Sequence, residues 1–275
     1  MGFVEEPVFM MKNKPTLGLV LSGGGARGIA HIGVIQALLE HGYEPDVLAG
    51  TSAGSIVGSL FAAGVEPQEI LQIAKKASIF KLITVSLPYS GLTKLTYLHD
   101  LLATHIKIDN FSALHKDMYI AISNLNTGAL EIRSKGELFK VVMASSSIPL
   151  VFQPIEIDGQ LYVDGGILNN LPAEALNGKA DIVIGVNVMP HVEVGKKAIN
   201  NVFGIAQRCF DLSILANIQP HIPLCDLFIE PKTIREFNIF QLNRYKQLYE
   251  IGYAAMIEKL PALDYLYKQK LNSGQ

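Results

Sequence analysis

Residues 50–55 read Gly-Thr-Ser-Ala-Gly-Ser. The stretch follows a short apolar run, Val47-Leu48-Ala49, and leads into Ile56-Val57-Gly58-Ser59-Leu60, a helical pattern of small and apolar residues. Ser52 has a glycine two positions away on either side, Gly50 and Gly54. That pattern suits a sharp strand-to-helix turn, which presents a serine hydroxyl as a nucleophile. It also suits a crowded backbone that admits only small residues. At a helix N-terminus the serine lies near the positive end of the helix dipole, where developing negative charge is stabilised. A base and an oxyanion site elsewhere in the chain would decide for the nucleophile.

Outward from this turn, short apolar runs alternate with helical patterns. Residues 16–21 (TLGLVL), 47–50, 118–123, 129–133, 155–157, 161–163, 181–188 and 226–230 read as strands. Asp158-Gly159 marks a hairpin between two of them. Helices are expected over 28–41, 53–63, 67–77, 94–103, 137–146, 198–218 and 239–259, with a tail from 261. Gly42 and Gly64 are placed to end the first two. Residues 79–98 are apolar but contain Pro88 and Gly91 and lack clean periodicity; they read as a lid, an interfacial patch or ordinary core. Alternating strands and helices imply an α/β fold, a three-layer α/β/α sandwich around a central, mostly parallel sheet. No repeat or linker divides the chain. The organisation expected is a leader over 1–15 and one domain over 16–275, its motifs within 17–190 and a helical part over 198–275.

Composition narrows the functions. The 275 residues are 49% hydrophobic and 17% charged, with a net charge of −2. Scattered basic residues argue against nucleic-acid binding, which needs a basic face. Docking on lipid stays open, because apolar side chains achieve it without net positive charge. The two cysteines, Cys209 and Cys225, form neither a disulfide framework nor a zinc pattern, so a reduced, cytoplasmic setting is expected. The first 14 residues lack the apolar run of a signal peptide, and Glu6 stands where myristoylation needs a hydroxyl. The uncharged stretch 48–65 reaches membrane-spanning length, but its four glycines and the turn inside it favour a buried strand-turn-helix.

Two further motifs bear on chemistry. Gly23-Gly24-Gly25-Ala26-Arg27-Gly28 follows the first strand and opens a helix. Such a loop aims backbone N–H groups at an anion. It also matches a dinucleotide-binding loop, but that reading requires a carboxylate after the second strand. Glu44 and Asp46 precede that strand instead. Asp164-Gly165-Gly166 ends the run Leu161-Tyr162-Val163, where a strand delivers a side chain to a site edge. Asp-Gly also simply makes turns. A partly desolvated carboxylate beside a serine can nevertheless serve as its base. Of seven histidines, only His191 and His221 fall late enough for the order serine, aspartate, histidine.

Taken in order, GGGARG, GTSAG and DGG resemble the patatin-like phospholipase family, as do Ala144-Ser145-Ser146-Ser147-Ile148-Pro149 and Asn169-Asn170-Leu171-Pro172. The resemblance implies a lipid acyl hydrolase with a Ser52–Asp164 dyad, no histidine, no metal and no cofactor. It assigns the oxyanion hole to Gly24, Gly25, Ala26 and Arg27. Gly23, Gly28, Gly50, Gly54, Gly165 and Gly166 complete the motifs. A phospholipid, lysophospholipid or other fatty ester is the implied substrate, with peripheral contact to a membrane and no nucleic-acid partner. No segment specifies an oligomeric state. A non-catalytic lipid-binding protein on the same fold is the alternative.

Overall fold

The computed structural model describes residues 14–76 and 95–273. Most of the expected leader and of the 79–98 segment therefore lies outside the described residues. The strands are β1 (Leu17–Leu21), β2 (Val47–Gly50), β3 (Asp117–Asn124), β4 (Leu130–Arg133), β5 (Ile155–Ile157), β6 (Gln160–Asp164), β7 (Ile182–Val186) and β8 (Leu227–Ile229). Among the described residues they form one eight-stranded sheet in the order β5-β6-β3-β2-β1-β7-β8, with β4 also paired to β3. The block β3-β2-β1-β7-β8 is parallel. Strands β4, β5 and β6 add antiparallel pairings at one side.

The helices are α1 (Ile29–Glu40), α2 (Ala53–Ala62), α3 (Pro67–Lys76), α4 (Thr96–His105), α5 (Leu138–Ser145), α6 (Val202–Ile218) and α7 (Tyr245–Ser273). Side chains alternate faces along a strand, so β1 feeds two cores. Leu17, Leu19 and Leu21 join the larger one, with side chains of α1, α2, α5 and α7. Val20 joins the other, with Ile214 and Ile218 of α6 and Leu171 and Leu176. The result is a three-layer α/β/α sandwich. Residues 48–65 are the end of β2, a turn, α2 and the turn after it. No helix of the described residues is long and apolar enough to cross a membrane.

Two expectations near the C-terminus need correction. The last helix starts at Tyr245, not 239, and it runs through Pro261 to Ser273 instead of stopping before it. Proline removes one helical hydrogen bond and crowds the preceding turn. Here packing outweighs that cost, because Leu260 and Leu263 on either side are buried. Close contact with α1 adds to it: a Cβ on Gly252 would collide with the carbonyl of Ala30. Before this helix, Leu242–Arg244 form a 3₁₀ turn, and the Ile239 carbonyl is engaged by the glycine loop, described below.

Register on β3 sets up the site. Ile120 pairs with both Gly50 and Arg133, and Ile122 with both Glu131 and Asp164. A strand has two flanks, and β4 fills one. Strands β2 and β6 therefore share the other, running towards each other with their C-terminal ends, Gly50 and Asp164, two β3 residues apart. That spacing is about 7 Å.

Candidate active site

Ser52 leaves the end of β2 with φ 50° and ψ −121° and caps the N-terminus of α2. Such a conformation costs a non-glycine residue about 1–3 kcal/mol and persists only when neighbours hold it. Its N–H donates to Ser145 Oγ at 2.8 Å, and Ser145 Oγ donates on to the carbonyl of Ala121 at 2.8 Å. Ser55 Oγ donates to the Ser52 carbonyl at 2.7 Å. Thr51 Oγ1 donates to the carbonyl of Asn169 at 2.9 Å. The glycines of the turn permit this crowding. A Cβ on Gly54 would strike the carbonyl of Leu21, and one on Gly50 would come within 2.8 Å of the Gly54 backbone. Gly28 meets the turn from the other side, where a Cβ would stand 2.5 Å from Ala53 Cβ.

Asp164 is 2% exposed. Ser52 hydrogen-bonds its carboxylate through its side chain. Gly166 N–H donates to Asp164 Oδ1 at 2.8 Å. Burial pushes the carboxyl up to about 7, against the opposing pull of those two hydrogen bonds. The carboxylate is thus held next to the hydroxyl with its proton affinity near neutrality. Gly165 lets the chain pass β3, since a Cβ there would collide with the carbonyl of Ala121.

The glycine loop forms a short 3₁₀ turn over Gly25–Gly28. Gly25 has φ +56°, a left-handed conformation natural to glycine, and a Cβ on it would lie 2.5 Å from the Ile239 carbonyl. Gly24, Gly25 and Ala26 are the amides expected as oxyanion donors, with Arg27 as the motif's basic position, and they are not alike. Ala26 N–H donates to the Ile239 carbonyl at 2.7 Å, and Arg27 N–H to the Gly24 carbonyl at 3.1 Å. The N–H groups of Gly24 and Gly25 have no acceptor among the described residues. Gly23, Gly24, Gly25, Ser52 and Asp164 line one small cavity of about 20 Å³. The Arg27 side chain turns away from it. Its Nε donates to the Phe237 carbonyl at 2.8 Å and its Nη2 to that of Arg235 at 3.5 Å.

No histidine lines that cavity. His221 sits against Glu174 at 2.9 Å, and His191 is exposed beside a different cavity. His31 is fully buried with Nε2 2.8 Å from the Ser22 carbonyl, and burial lowers it to about 4, so it stays neutral.

Three contributors have no role assigned from the sequence, although Ser145 belongs to the 144–149 motif. Ser145 holds the turn, as above. Asn217 Nδ2 donates to the carbonyls of Gly166 and Ile167, and its Oδ1 accepts from Asn170 N–H, so α6 fixes the loop after Asp164. Ile239 roofs the glycine loop. Only Ser145 left a trace, as part of the serine run at 145–147.

A serine on a strand-to-helix turn, hydrogen-bonded to a buried carboxylate beside two open amides, has the parts of an acyl-transfer centre. The chain belongs to the patatin-like phospholipase family, whose model matches residues 19–177, more than half of the sequence. An uncharacterized NTE family protein of Mycobacterium tuberculosis is 36% identical over 168 residues, 60% of this chain and 29% of that protein. A lysophospholipase of Aspergillus fumigatus is 29% identical over 281 residues, 89% of this chain and 18% of its own. The chain thus spans less than a third of either relative. VipD from Legionella pneumophila superposes with a TM-score of 0.51 at 16% identity, over 86% of this chain and 67% of its own, a likeness of fold.

Proposed function

We propose that this chain hydrolyses carboxylic esters of fatty acids, with lipids as substrates, through a Ser52–Asp164 dyad. The observation that carries the reading is the Ser52 hydrogen bond to a buried, near-neutral Asp164 in one cavity with the Gly24 and Gly25 amides. Asp164 takes the hydroxyl proton as Ser52 Oγ attacks the ester carbonyl carbon. The carbonyl oxygen gains the negative charge and accepts from the Gly24 and Gly25 N–H groups. On collapse, the alcohol leaves with the proton from Asp164, and the acyl group stays on Ser52. Asp164 then deprotonates a water that attacks the acyl-enzyme. The fatty acid departs, and Ser52 recovers its proton.

An apolar cavity of about 150 Å³ supports a fatty substrate. It opens at Ser52 and is lined by Ile56, Leu98, Ile148, Phe152 and Phe240. The family and the fungal lysophospholipase relative point to the same substrate class. A lipid substrate implies encounter with a membrane surface.

The test is fluorophosphonate labelling with fatty-ester turnover, in the wild type, Ser52→Ala and Asp164→Asn. Labelling absent in Ser52→Ala, with turnover lost in both variants, is expected. Labelling that survives in Ser52→Ala would place the nucleophile elsewhere. A folded wild type that neither labels nor turns over would favour a lipid-binding protein.

A further inference from the structure

Two adjacent asparagines follow the Asp164 loop, and their side chains are used differently. Both ends of the Asn169 carboxamide serve the fold: Oδ1 accepts from Leu171 N–H at 3.0 Å, and Nδ2 donates to Glu174 Oε1 at 2.5 Å. Asn170 has its backbone N–H fixed on Asn217 Oδ1, but its carboxamide is hardly engaged. Nδ2 reaches the Gly23 carbonyl at 3.5 Å, the outer limit of a hydrogen bond, and Oδ1 has no donor among the described residues. Yet Asn170 is 1% exposed. A buried amide oxygen without a donor is costly, and the fold itself supplies none here.

Among the described residues that line the reaction cavity, only Ser52, Asp164 and Asn170 carry a side-chain oxygen or nitrogen. The proposed mechanism uses the first two. The neighbouring glycines show how close the third stands. A Cβ on Gly166 would lie 2.7 Å from Asn170 Oδ1 and 2.9 Å from Asp164 Oδ1, so these two oxygens are no more than about 5.6 Å apart. A Cβ on Gly23 would collide with Asn170 Oδ1 and stand 3.1 Å from Ser52 Cβ, so the amide oxygen is near the nucleophile too. One water can donate to two acceptors so spaced, at about 2.8 Å from each.

Building on the hydrolase reading, we infer that Asn170 is a third catalytic residue, which holds the water that releases the acyl group. The water donates one proton to Asp164 and the other to Asn170 Oδ1, which turns its lone pair to the acyl carbon. Attack forms the new C–O bond as the first proton passes to Asp164. Collapse of the tetrahedral adduct breaks the bond to Ser52 Oγ, which takes that proton back. The second proton leaves with the fatty acid, and Asn170 neither gains nor loses one. Acylation uses no water, so Asn170 acts on one half of the reaction and Asp164 on both.

The test separates the halves. The burst of p-nitrophenol from p-nitrophenyl butyrate reads acylation, the steady state after it reads deacylation, and intact mass reads the acyl group on Ser52. Asn170→Ala should slow deacylation about tenfold or more, the scale of one lost hydrogen bond, and slow acylation far less. A larger fraction of Ser52 should then stand acylated during turnover. Asn170→Ser keeps a small acceptor and should fall between, and it carries the comparison if the alanine variant does not fold. Both halves slowed alike would mean that Asn170 only supports the structure of the centre, and overturns the inference. Unchanged deacylation overturns it as well, with the hydrolase reading intact. Failure of Ser52 to acylate in the folded wild type would instead sink the hydrolase reading, and this inference with it.

Discussion

The Ser52 turn is held from four sides, by β1, α2, α5 and the segment after β6, whereas the strap of residues 235–242 meets the site through three backbone carbonyls and a few side chains. Thr51 N–H reaches Leu21, Thr51 Oγ1 reaches Asn169, and Ser145 takes the Ser52 N–H. The strap gives the carbonyls of Arg235, Phe237 and Ile239 to Arg27 and Ala26. Its residues 237–242 are half-buried or exposed, while Ser52 and Asp164 are buried. The centre thus holds the proposed nucleophile in place, as reacting groups must be fixed within a fraction of an ångström. The strap lines the cavities proposed for the substrate instead. Substitutions in the centre should therefore abolish turnover, and substitutions in the strap should redistribute it among substrates.

The largest effect is expected at Asp164. Asp164→Asn keeps the side-chain volume and an acceptor for Gly166 but loses the base, so turnover should fall by about a thousandfold or more. Stability should move the other way. Below its ordinary value of 3.8 the carboxyl is protonated in both folded and unfolded states. Between there and about 7 the folded protein holds a proton that the unfolded chain has released, so stability declines across that window and stays reduced above it. Asp164→Asn should thus melt higher than the wild type at pH 8 and lose that advantage near pH 4, read as Tm against pH. Wild-type kcat/KM should rise with pH through about 7 as the carboxylate becomes available. An asparagine variant that melts lower at pH 8 would mean the buried carboxylate is not the costly element of the centre.

Ser145 ranks next. Ser145→Ala leaves the strained Ser52 N–H and the Ala121 carbonyl without their partner, at a cost of about 1–3 kcal/mol. Chemical denaturation should show that loss, with kcat reduced about tenfold or more because the turn relaxes. Full activity in a destabilised protein would show that the remaining three attachments suffice to hold the nucleophile.

These two tests act on the part of the molecule most legible in the sequence. Short apolar runs, the glycines around Ser52 and the Asp-Gly-Gly that ends β6 each carry a local signal, and their order along the chain carries the family resemblance. The strap carries no such signal. Ile239-Phe240-Gln241-Leu242 reads as the start of a helix, but Asn238 and Gln241 bond the local backbone instead, and the Ile239 carbonyl accepts from Ala26, more than 200 residues away in sequence. Asn217 was equally silent, an asparagine in a long helix whose purpose appears only when α6 lies against the loop after Asp164. Pro261 misled for a related reason: the local rule that proline ends helices lost to burial of Leu260 and Leu263. The division of the glycine-loop amides was hidden too. Which N–H stays open depends on where Ile239 places its carbonyl.

The smallest effect, and the one that sharpens the contrast, is expected at Ile239. Its side chain lines the reaction cavity and the apolar cavity, while its anchoring contact is a backbone carbonyl that substitution leaves in place. Ile239→Ala should therefore keep the strap docked and cost about 1 kcal/mol or less, as expected of a half-exposed apolar residue. Removing the side chain should widen the cavities that it lines beside Ser52. The ratio of kcat/KM for p-nitrophenyl dodecanoate over the butyrate should then shift about threefold, a change on the scale of one methylene of apolar contact. The dyad is untouched, so butyrate turnover should change far less than in Ser145→Ala. A loss of butyrate turnover as large as that of Ser145→Ala would break the distinction, because the strap would then be holding the centre as well as bordering it.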